Sequence, residues 1–273
     1  DALALRAALR PGRRVAVIGA GLIGLEVAAV SATLGLATTV FDIAPSIMAR
    51  AIPGAAAEII RARHESEGIR FRLGTGISAC RAGAEGIVLR LADGAEVAAD
   101  VIVVGVGVQP DDTLAREAGL GTDAGILVDE KCRTSDPDIF AAGDATRFRV
   151  AGSDAVRREE NWRHALDHGA VAGANAAGGD EAYRAVPTFW SEQYDLFIQG
   201  VGSAAASANA PVRRSHGERK LVHFHMAGDR IRYAVGIGAT KEMAVVRRMI
   251  ERGTAVPPEK LADPQVNLAA LLR

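Results

Sequence analysis

The sequence predicts an α/β fold, with a parallel, helix-flanked sheet first and a strand-rich α+β unit last. Three observations carry that prediction. The apolar run Val15-Ala16-Val17-Ile18 breaks into Gly19-Ala20-Gly21-Leu22-Ile23-Gly24, and a helix-compatible stretch follows over residues 25–34. A second β-run, Thr38-Thr39-Val40-Phe41-Asp42, completes a β-α-β unit. Beyond Pro187, strand patterns at 196–201, 220–226 and 231–237 alternate with turn residues such as Gly228-Asp229.

Each glycine of the first turn has its own task. Gly19 allows the tight turn, Gly21 lets an anion approach the backbone, and Gly24 lets helix and strand pack closely. Leu22 and Ile23, between Gly21 and Gly24, are candidate binding residues of the same turn, and the free N–H groups and positive dipole end of the helix that follows face the anion. Asp42 lies 23 residues after Gly19, close to the roughly 20 expected of a carboxylate that holds an adenosine ribose. Strand, glycine turn, helix, strand and acid in that order make this a Rossmann-like dinucleotide site. A carboxylate accepts hydrogen bonds from ribose hydroxyls and repels a 2′-phosphate, which favours NADH over NADPH. Arg50, eight residues on, is the one nearby cation that argues otherwise.

The remaining elements follow in order. A lead-in helix over 2–9 ends at Pro11-Gly12. Pro53-Gly54 introduces a helix over 55–67, apolar on one side through Ile59 and Ile60, and Gly68 closes it. Residues 69–73 alternate as a half-buried strand. Strands at 76–81 and 85–91, the Asp93-Gly94 hairpin signal and a strand at 96–98 form an antiparallel meander. Residues 100–105 return as a buried strand, so a first domain reads as 1–110. Over 111–183 come a short helix at 113–118, a strand at 125–129, a short apolar strand delivering Gly143-Asp144, and a long helix at 159–177. A third domain, 184–273, holds the late strands, a basic helix at 241–252 and a Pro-punctuated tail.

Composition narrows the function. The 273 residues carry a net charge of −1 and are 49% hydrophobic, which excludes a nucleic-acid-binding tail and a disordered chain. Twenty-eight of the 32 basic residues are Arg, a usage expected of a GC-rich bacterial source. The longest apolar run, near 101–108, falls short of the ~20 residues a membrane span needs. No signal peptide is visible. Cys80 and Cys132 form no Cys-x-x-Cys, so neither a redox dithiol nor a zinc knuckle is written here, and a reducing cytoplasm is expected. The chain starts at Asp1 inside a helical pattern, from which a preceding segment is expected.

Four motifs in order, Gly19–Gly24, Val104-Gly105-Val106-Gly107-Val108-Gln109-Pro110, residues 138–146, and Val186-Pro187-Thr188-Phe189-Trp190-Ser191-Glu192-Gln193-Tyr194, resemble the ferredoxin reductase components of bacterial oxygenase and cytochrome P450 systems. These flavoproteins belong to the pyridine nucleotide-disulfide oxidoreductase superfamily and resemble apoptosis-inducing-factor-like proteins. The resemblance covers essentially the whole chain. It implies an NAD-binding domain, the remainder of an FAD-binding domain, and a C-terminal reductase interface domain. It places Gly143 and Asp144, with a helix-start N–H, near the FAD ribityl-pyrophosphate, and Glu160, Trp162 and Ala165 against isoalloxazine and nicotinamide. Trp190 would stand beside the flavin on the side where a ferredoxin docks. Glu26 would reach toward the nicotinamide pocket, and Val106 and Gly107 toward NADH. NADH would pass a hydride to flavin N5, and single electrons would then go to a [2Fe–2S] ferredoxin; no side-chain acid or base is required, so none is nominated as catalytic.

The departure from the family is one glycine fingerprint where its members carry two. The fingerprint present is the NADH type, so this polypeptide by itself is expected to bind NADH and to hold FAD weakly or not at all. Rival readings are another NAD(P)H-dependent flavoprotein such as an oxidase, a dithiol reductase (disfavoured by the missing Cys-x-x-Cys), and a non-enzymatic NADH-binding module. His164 and His168 stand i, i+4 on a helix, and His223 and His225 share a strand face, but neither pair has a third metal ligand at a sensible spacing. Cys80 and Cys132 read as buried small hydrophobes. Arg157, Arg158, Arg163, Arg247, Arg248 and Arg252 read as a solvated face or as a docking face for an acidic ferredoxin.

Overall fold

In a computed structural model of the chain, residues 1–52, 54–83, 86–150, 155–203, 211–217 and 220–272 are described. The expected turn residue Pro53 and strand start Glu85 lie outside the described residues. Helix α1 (Ala2–Ala8) leads into strand β1 (Arg14–Ile18). Helix α2 (Leu22–Thr33) begins three residues earlier than its pattern predicts, because Gly21 is its N-cap and the glycine turn passes straight into the helix. Strand β2 (Ala37–Asp42), helix α3 (Gly54–Ser66) and strand β3 (Arg70–Leu73) follow. Strands β4 (Ile77–Gly83), β5 (Gly86–Leu91) and β6 (Glu96–Ala99) precede β7 (Val101–Val104).

The parallel sheet runs β3-β2-β1-β7, and the meander β4-β5-β6 is a separate antiparallel sheet. Period-2 alternation decides what each face meets. Val15, Val17 and Val40 pack with Leu25 and Ala28 of α2 and with Ala57 and Ile60 of α3. Ala16 and Phe41, facing the other way, pack with Leu89, Leu91 and Ala99 of the meander. Both faces are therefore covered, as a parallel sheet requires. At the start of β1 the Arg14 guanidinium pairs with Asp100 at 2.8 Å, and the Arg14 N–H donates to the same carboxylate at 2.7 Å. These bonds hold the Asp100 carboxyl down at about 2.

The middle of the chain forms helix α4 (Thr113–Glu117), strands β8 (Ile126–Val128), β9 (Thr146–Arg149) and β10 (Val156–Arg157), and helix α5 (Trp162–Ala176). The sequence misreads two places here. The apolar stretch 138–142 is not a strand: it turns back on Asp136 and makes one isolated bridge, Arg133 to Phe140, so its apolar residues serve a tight hairpin. Helix α5 starts at Trp162 and not at 159, because the Asn161 side chain accepts from the His164 N–H at 2.8 Å and caps it there.

The C-terminal unit is a five-stranded antiparallel sheet in the order β11-β12-β15-β14-β13. Its strands are β11 (Thr188–Gln193), β12 (Leu196–Gly202), β13 (Val212–Ser215), β14 (Leu221–Ala227) and β15 (Arg230–Ile237). Helices α6 (Thr240–Arg252) and α7 (Pro258–Ala262) follow. One face of the sheet packs α6 and α7 through Val222, Phe224, Met243, Val246 and Leu261. The other face carries Ile198, Leu221, Val235 and Ile237 into the same apolar cluster as β1, α2 and α3. The first and last units therefore share one core. The sequence had not marked β11 or β13 as strands, since both are rich in polar residues. In β13 the buried Arg214 donates to carbonyl oxygens of the tail, including Val266 at 2.8 Å and Pro264 at 3.1 Å. Among the described residues no helix is long and apolar enough to cross a membrane.

Candidate functional site

A cleft of about 630 Å³ opens where β1 and β2 end. Six expected binding residues line it: Gly19, Gly21 and Leu22 from the glycine turn, Asp42 from the end of β2, Arg50 from the loop beyond, and Val106 after β7. Gly24 is buried and Ile23 is exposed, and neither lines the cleft.

The glycines divide their work as packing demands. Gly19 has φ of +106°, and a Cβ there would stand 2.3 Å from the Gly105 carbonyl oxygen. A Cβ on Gly24 would stand 1.9 Å from the Gly19 carbonyl oxygen. A Cβ on Gly21 would meet no protein atom within 4 Å, so its missing side chain leaves room in the cleft. Gly21 caps α2 without a side-chain hydrogen bond. The first N–H groups of the helix are thus left for an anion.

Asp42 has a task the sequence did not disclose. Its Oδ2 accepts the Ala20 N–H at 2.6 Å and its Oδ1 accepts the Ala44 N–H at 2.8 Å, which latches the glycine turn to the end of β2. Each carboxylate oxygen has two acceptor positions, so capacity for ribose hydroxyls remains. The Met48 N–H donates to the Ala20 carbonyl at 2.8 Å and holds the loop beyond β2 against the turn. The Arg50 guanidinium lies against Gly107, where an added Cβ would stand 3.5 Å from Nη2.

A second group of expected residues gathers at the start of α5. Gly143, Asp144 and Ala145 form one 3-10 turn. Gly143 is buried with φ of +78°, and a Cβ on it would meet the Ala165 Cβ at 3.6 Å. Its N–H is taken by His168 Nδ1 at 3.2 Å, so the exposed Asp144 carboxylate is what this turn presents. Trp162 and Trp190 meet edge to face with centroids 6.0 Å apart, and are 66% and 44% exposed. Glu160 pairs with Arg158, whose Nη2 also donates to the Val108 carbonyl at 3.0 Å. Glu26, in the second turn of α2, accepts the Ser191 hydroxyl at 2.6 Å.

An exposed carboxylate, the start of a helix and two open indole faces fit the ribityl and ring portion of an FAD. Asp144, Trp162, Ala165 and Trp190 are the residues that would hold it.

The structure reassigns several side chains. His164 and His168 stack on each other with centroids 4.8 Å apart, packed with Phe148 and Tyr183. Burial lowers both pKa values, that of His168 to about 4. Among the described residues no group of three or more His, Cys, Asp or Glu is placed to hold a metal ion. Cys132 is buried, its thiol pushed up to about 12 by desolvation, but Cys80 is exposed because β4 is an edge strand of the meander with residues 78–82 open on both faces. The arginines are largely neutralised within their own segments. Arg157 pairs with Glu159, Arg163 with Asp167, Arg247 with Glu251 and Arg158 with Glu160. His64, Ser191 and Gln193 were given no role by the sequence, yet all three are buried polar groups in the seam between the first and last units.

Residues 1–169 match the family described as pyridine nucleotide-disulphide oxidoreductase, and residues 188–272 match the reductase C-terminal family. The chain belongs to the pyridine nucleotide-disulphide oxidoreductases. This oxidoreductase chain is 41% identical over 273 residues to the anthranilate 1,2-dioxygenase system ferredoxin–NAD(+) reductase component of Burkholderia cepacia, covering all of this chain and 67% of the relative. It is 36% identical over 251 residues to the 3-phenylpropionate/cinnamic acid dioxygenase ferredoxin–NAD(+) reductase component of Photorhabdus laumondii, covering 92% of this chain and 63% of the relative. The ferredoxin reductase for the CYP199A2 system from Rhodopseudomonas palustris superimposes with a TM-score of 0.95 at 32% identity, over all of this chain and 68% of that one. Putidaredoxin reductase, in its covalent complex with putidaredoxin, gives 0.94 at 29% identity, over all of this chain and 66% of that one. The chain thus spans about two thirds of the length of these relatives.

Proposed function

We propose that this chain is the NADH-binding and C-terminal portion of an NADH:ferredoxin oxidoreductase that serves an oxygenase or P450 system. The observation that carries the reading is the cleft in which Gly21, the open N-terminus of α2 and Asp42 face one another. In this reading the α2 N–H groups bind the pyrophosphate, Asp42 holds the adenosine ribose, and Val106, Gly107 and Glu26 face the nicotinamide half. Glu26 stands one helical turn beyond the cleft-lining Leu22, on the same side of α2. FAD, when bound, supplies the two-electron to one-electron conversion that hydride donor and iron–sulfur acceptor require. The protein positions the reactants: Asp144 fixes the ribityl side, and the Trp162–Trp190 pair excludes water from the ring.

The names of the relatives support a ferredoxin as partner, which in this reading carries a [2Fe–2S] cluster and takes its electrons past the exposed indoles. The free Cys80 and Cys132 support a cytoplasmic workplace. The test is NADH-dependent reduction of a [2Fe–2S] ferredoxin by the flavin-loaded reductase that contains this chain, measured beside its oxidase rate. Ferredoxin reduction faster than O₂ consumption is expected; NADH oxidation with O₂ alone as acceptor would replace this reading with an oxidase.

A further inference from the structure

A line of hydrogen bonds starts in the β11–β12 turn, crosses to His64 of the first unit, returns through β11 and ends on Glu26 of the first unit. At one end the Tyr194 hydroxyl lies 3.3 Å from His64 Nδ1. His64 Nε2 lies 2.8 Å from Gln193 Oε1, Gln193 Nε2 donates to Ser191 Oγ at 3.0 Å, and the Ser191 hydroxyl donates to Glu26 at 2.6 Å. An amide oxygen only accepts, so His64 carries its proton on Nε2, and its Nδ1 accepts the hydrogen bond of the Tyr194 hydroxyl. Every donor then points the same way, toward the Glu26 carboxylate. Bonds aligned in this manner polarise one another, and an anion at the accepting end fixes their direction. Burial favours the neutral imidazole that this arrangement needs.

The far end is anchored with equal care. Tyr194 is the first residue of the two-residue turn between β11 and β12 and has φ of +56°, a left-handed conformation uncommon for a bulky residue. Arg63 holds that turn to α3. Its guanidinium lies 4.7 Å from the Tyr194 ring centroid, and Nε donates to Asp195 at 2.8 Å. Ser191 and Gln193 are buried while Trp190 and Glu192 between and beside them are exposed. Whatever fixes the buried side of β11 therefore fixes Trp190 on the other.

We infer that Tyr194, His64, Gln193 and Ser191 are positioning residues that hold the Glu26 carboxylate, together with Trp190, at the nicotinamide end of the dinucleotide cleft. This rests on the NADH reading of the cleft. It makes the C-terminal sheet part of nicotinamide recognition, although no residue of that sheet lines the cleft itself.

The test separates the two halves of the nucleotide. ADP-ribose keeps the adenosine, both phosphates and the second ribose, but lacks nicotinamide. The 273-residue chain and its Ser191→Ala, Gln193→Met, Tyr194→Phe and Ser191→Thr variants are titrated with NADH and with ADP-ribose, and their thermal melts recorded. Ser191→Ala and Gln193→Met are expected to weaken NADH binding three- to tenfold while ADP-ribose stays within twofold. Tyr194→Phe shifts NADH in the same direction by less, and Ser191→Thr, which keeps the hydroxyl, restores it. If a buried variant fails to melt cooperatively, Tyr194→Phe at the accessible end carries the test. Equal weakening of both ligands, or no change in either in folded variants, overturns the inference and leaves the NADH reading standing. A wild-type chain that binds neither ligand overturns the NADH reading, and the inference falls with it.

Discussion

The dinucleotide cleft and the surface around Trp162 and Trp190 differ in how they are built. The cleft draws mainly on one stretch, residues 18–51: β1, the glycine turn, α2 and β2 supply its floor, its anion-facing N–H groups and its acid, and residues 75–77 and 105–106 also line it. These parts are tied together by hydrogen bonds within the same unit, as the Asp42 carboxylate holds the Ala20 N–H and the Met48 N–H holds the Ala20 carbonyl. The indole surface is assembled from three distant places, the turn at 143–145, the start of α5, and β11. Its aromatic faces are exposed. A site made by local chain geometry folds with the chain, whereas a surface of open indoles and a lone carboxylate needs its ligand to close it.

The sharpest way to break that comparison is to change two glycines of one turn. Gly24→Ala drives a Cβ to 1.9 Å from a backbone oxygen that cannot move without breaking the turn. Its expected cost is about 3 kcal/mol, at the upper end of overpacking effects, with NADH binding lost. Gly21→Ala meets no protein atom and should leave the melting temperature unchanged while still abolishing NADH binding. Paired melts and NADH titrations check both.

Asp42→Asn removes the charge and keeps an acceptor for one backbone N–H. NADH affinity should fall about tenfold, near 1.4 kcal/mol, with NADPH discrimination reduced, as titration with both nucleotides will show.

The buried histidines make a gradual acid effect. His64, His164, His168, His223 and His225 all have pKa values lowered by burial, so the unfolded chain binds their protons more readily than the folded one. Stability should be full above the ordinary histidine pKa of about 6.5 and decline as the pH falls below it, His168 contributing down to about 4. Denaturation midpoints measured between pH 7.5 and 4.5 test the sign; a rise on acidification would contradict it.

The smallest effect is expected on the indole side. Trp162→Ala should change stability by no more than about 0.5 kcal/mol, since that ring is mostly exposed. Phe41→Ala, by contrast, empties a fully buried position and should cost about 3–5 kcal/mol. Urea melts of the two variants compare them directly.

The difference between the regions also explains what the sequence discloses. The β1–α2–β2 unit is legible because its signals are local: an apolar run, glycines at fixed offsets, and an acid about twenty residues on. The β14–β15 hairpin is legible from Gly228-Asp229 and the apolar runs on either side of it, whereas the polar β11 and β13 are not. The stretch 138–142 misleads because an apolar run reads the same in a strand and in a hairpin closed by Asp136. Cys80 misleads because its neighbours do not reveal that β4 is an edge strand exposed on both faces. His64 left a usable trace: with Ala57 and Ile60 it falls on the buried side of α3, where a polar group must find a partner. Its partner, Gln193, lies 129 residues away, and no local pattern joins them.

The central claim is that the nucleotide cleft stands complete in this polypeptide while the flavin surface does not. The most direct measurement is a parallel titration of the purified 273-residue chain with NADH and with FAD, the flavin followed by its absorbance after desalting. Saturable NADH binding at one site per chain, with flavin lost on desalting, is the predicted result. Stoichiometric flavin retained by the chain, or no binding of NADH, would contradict it.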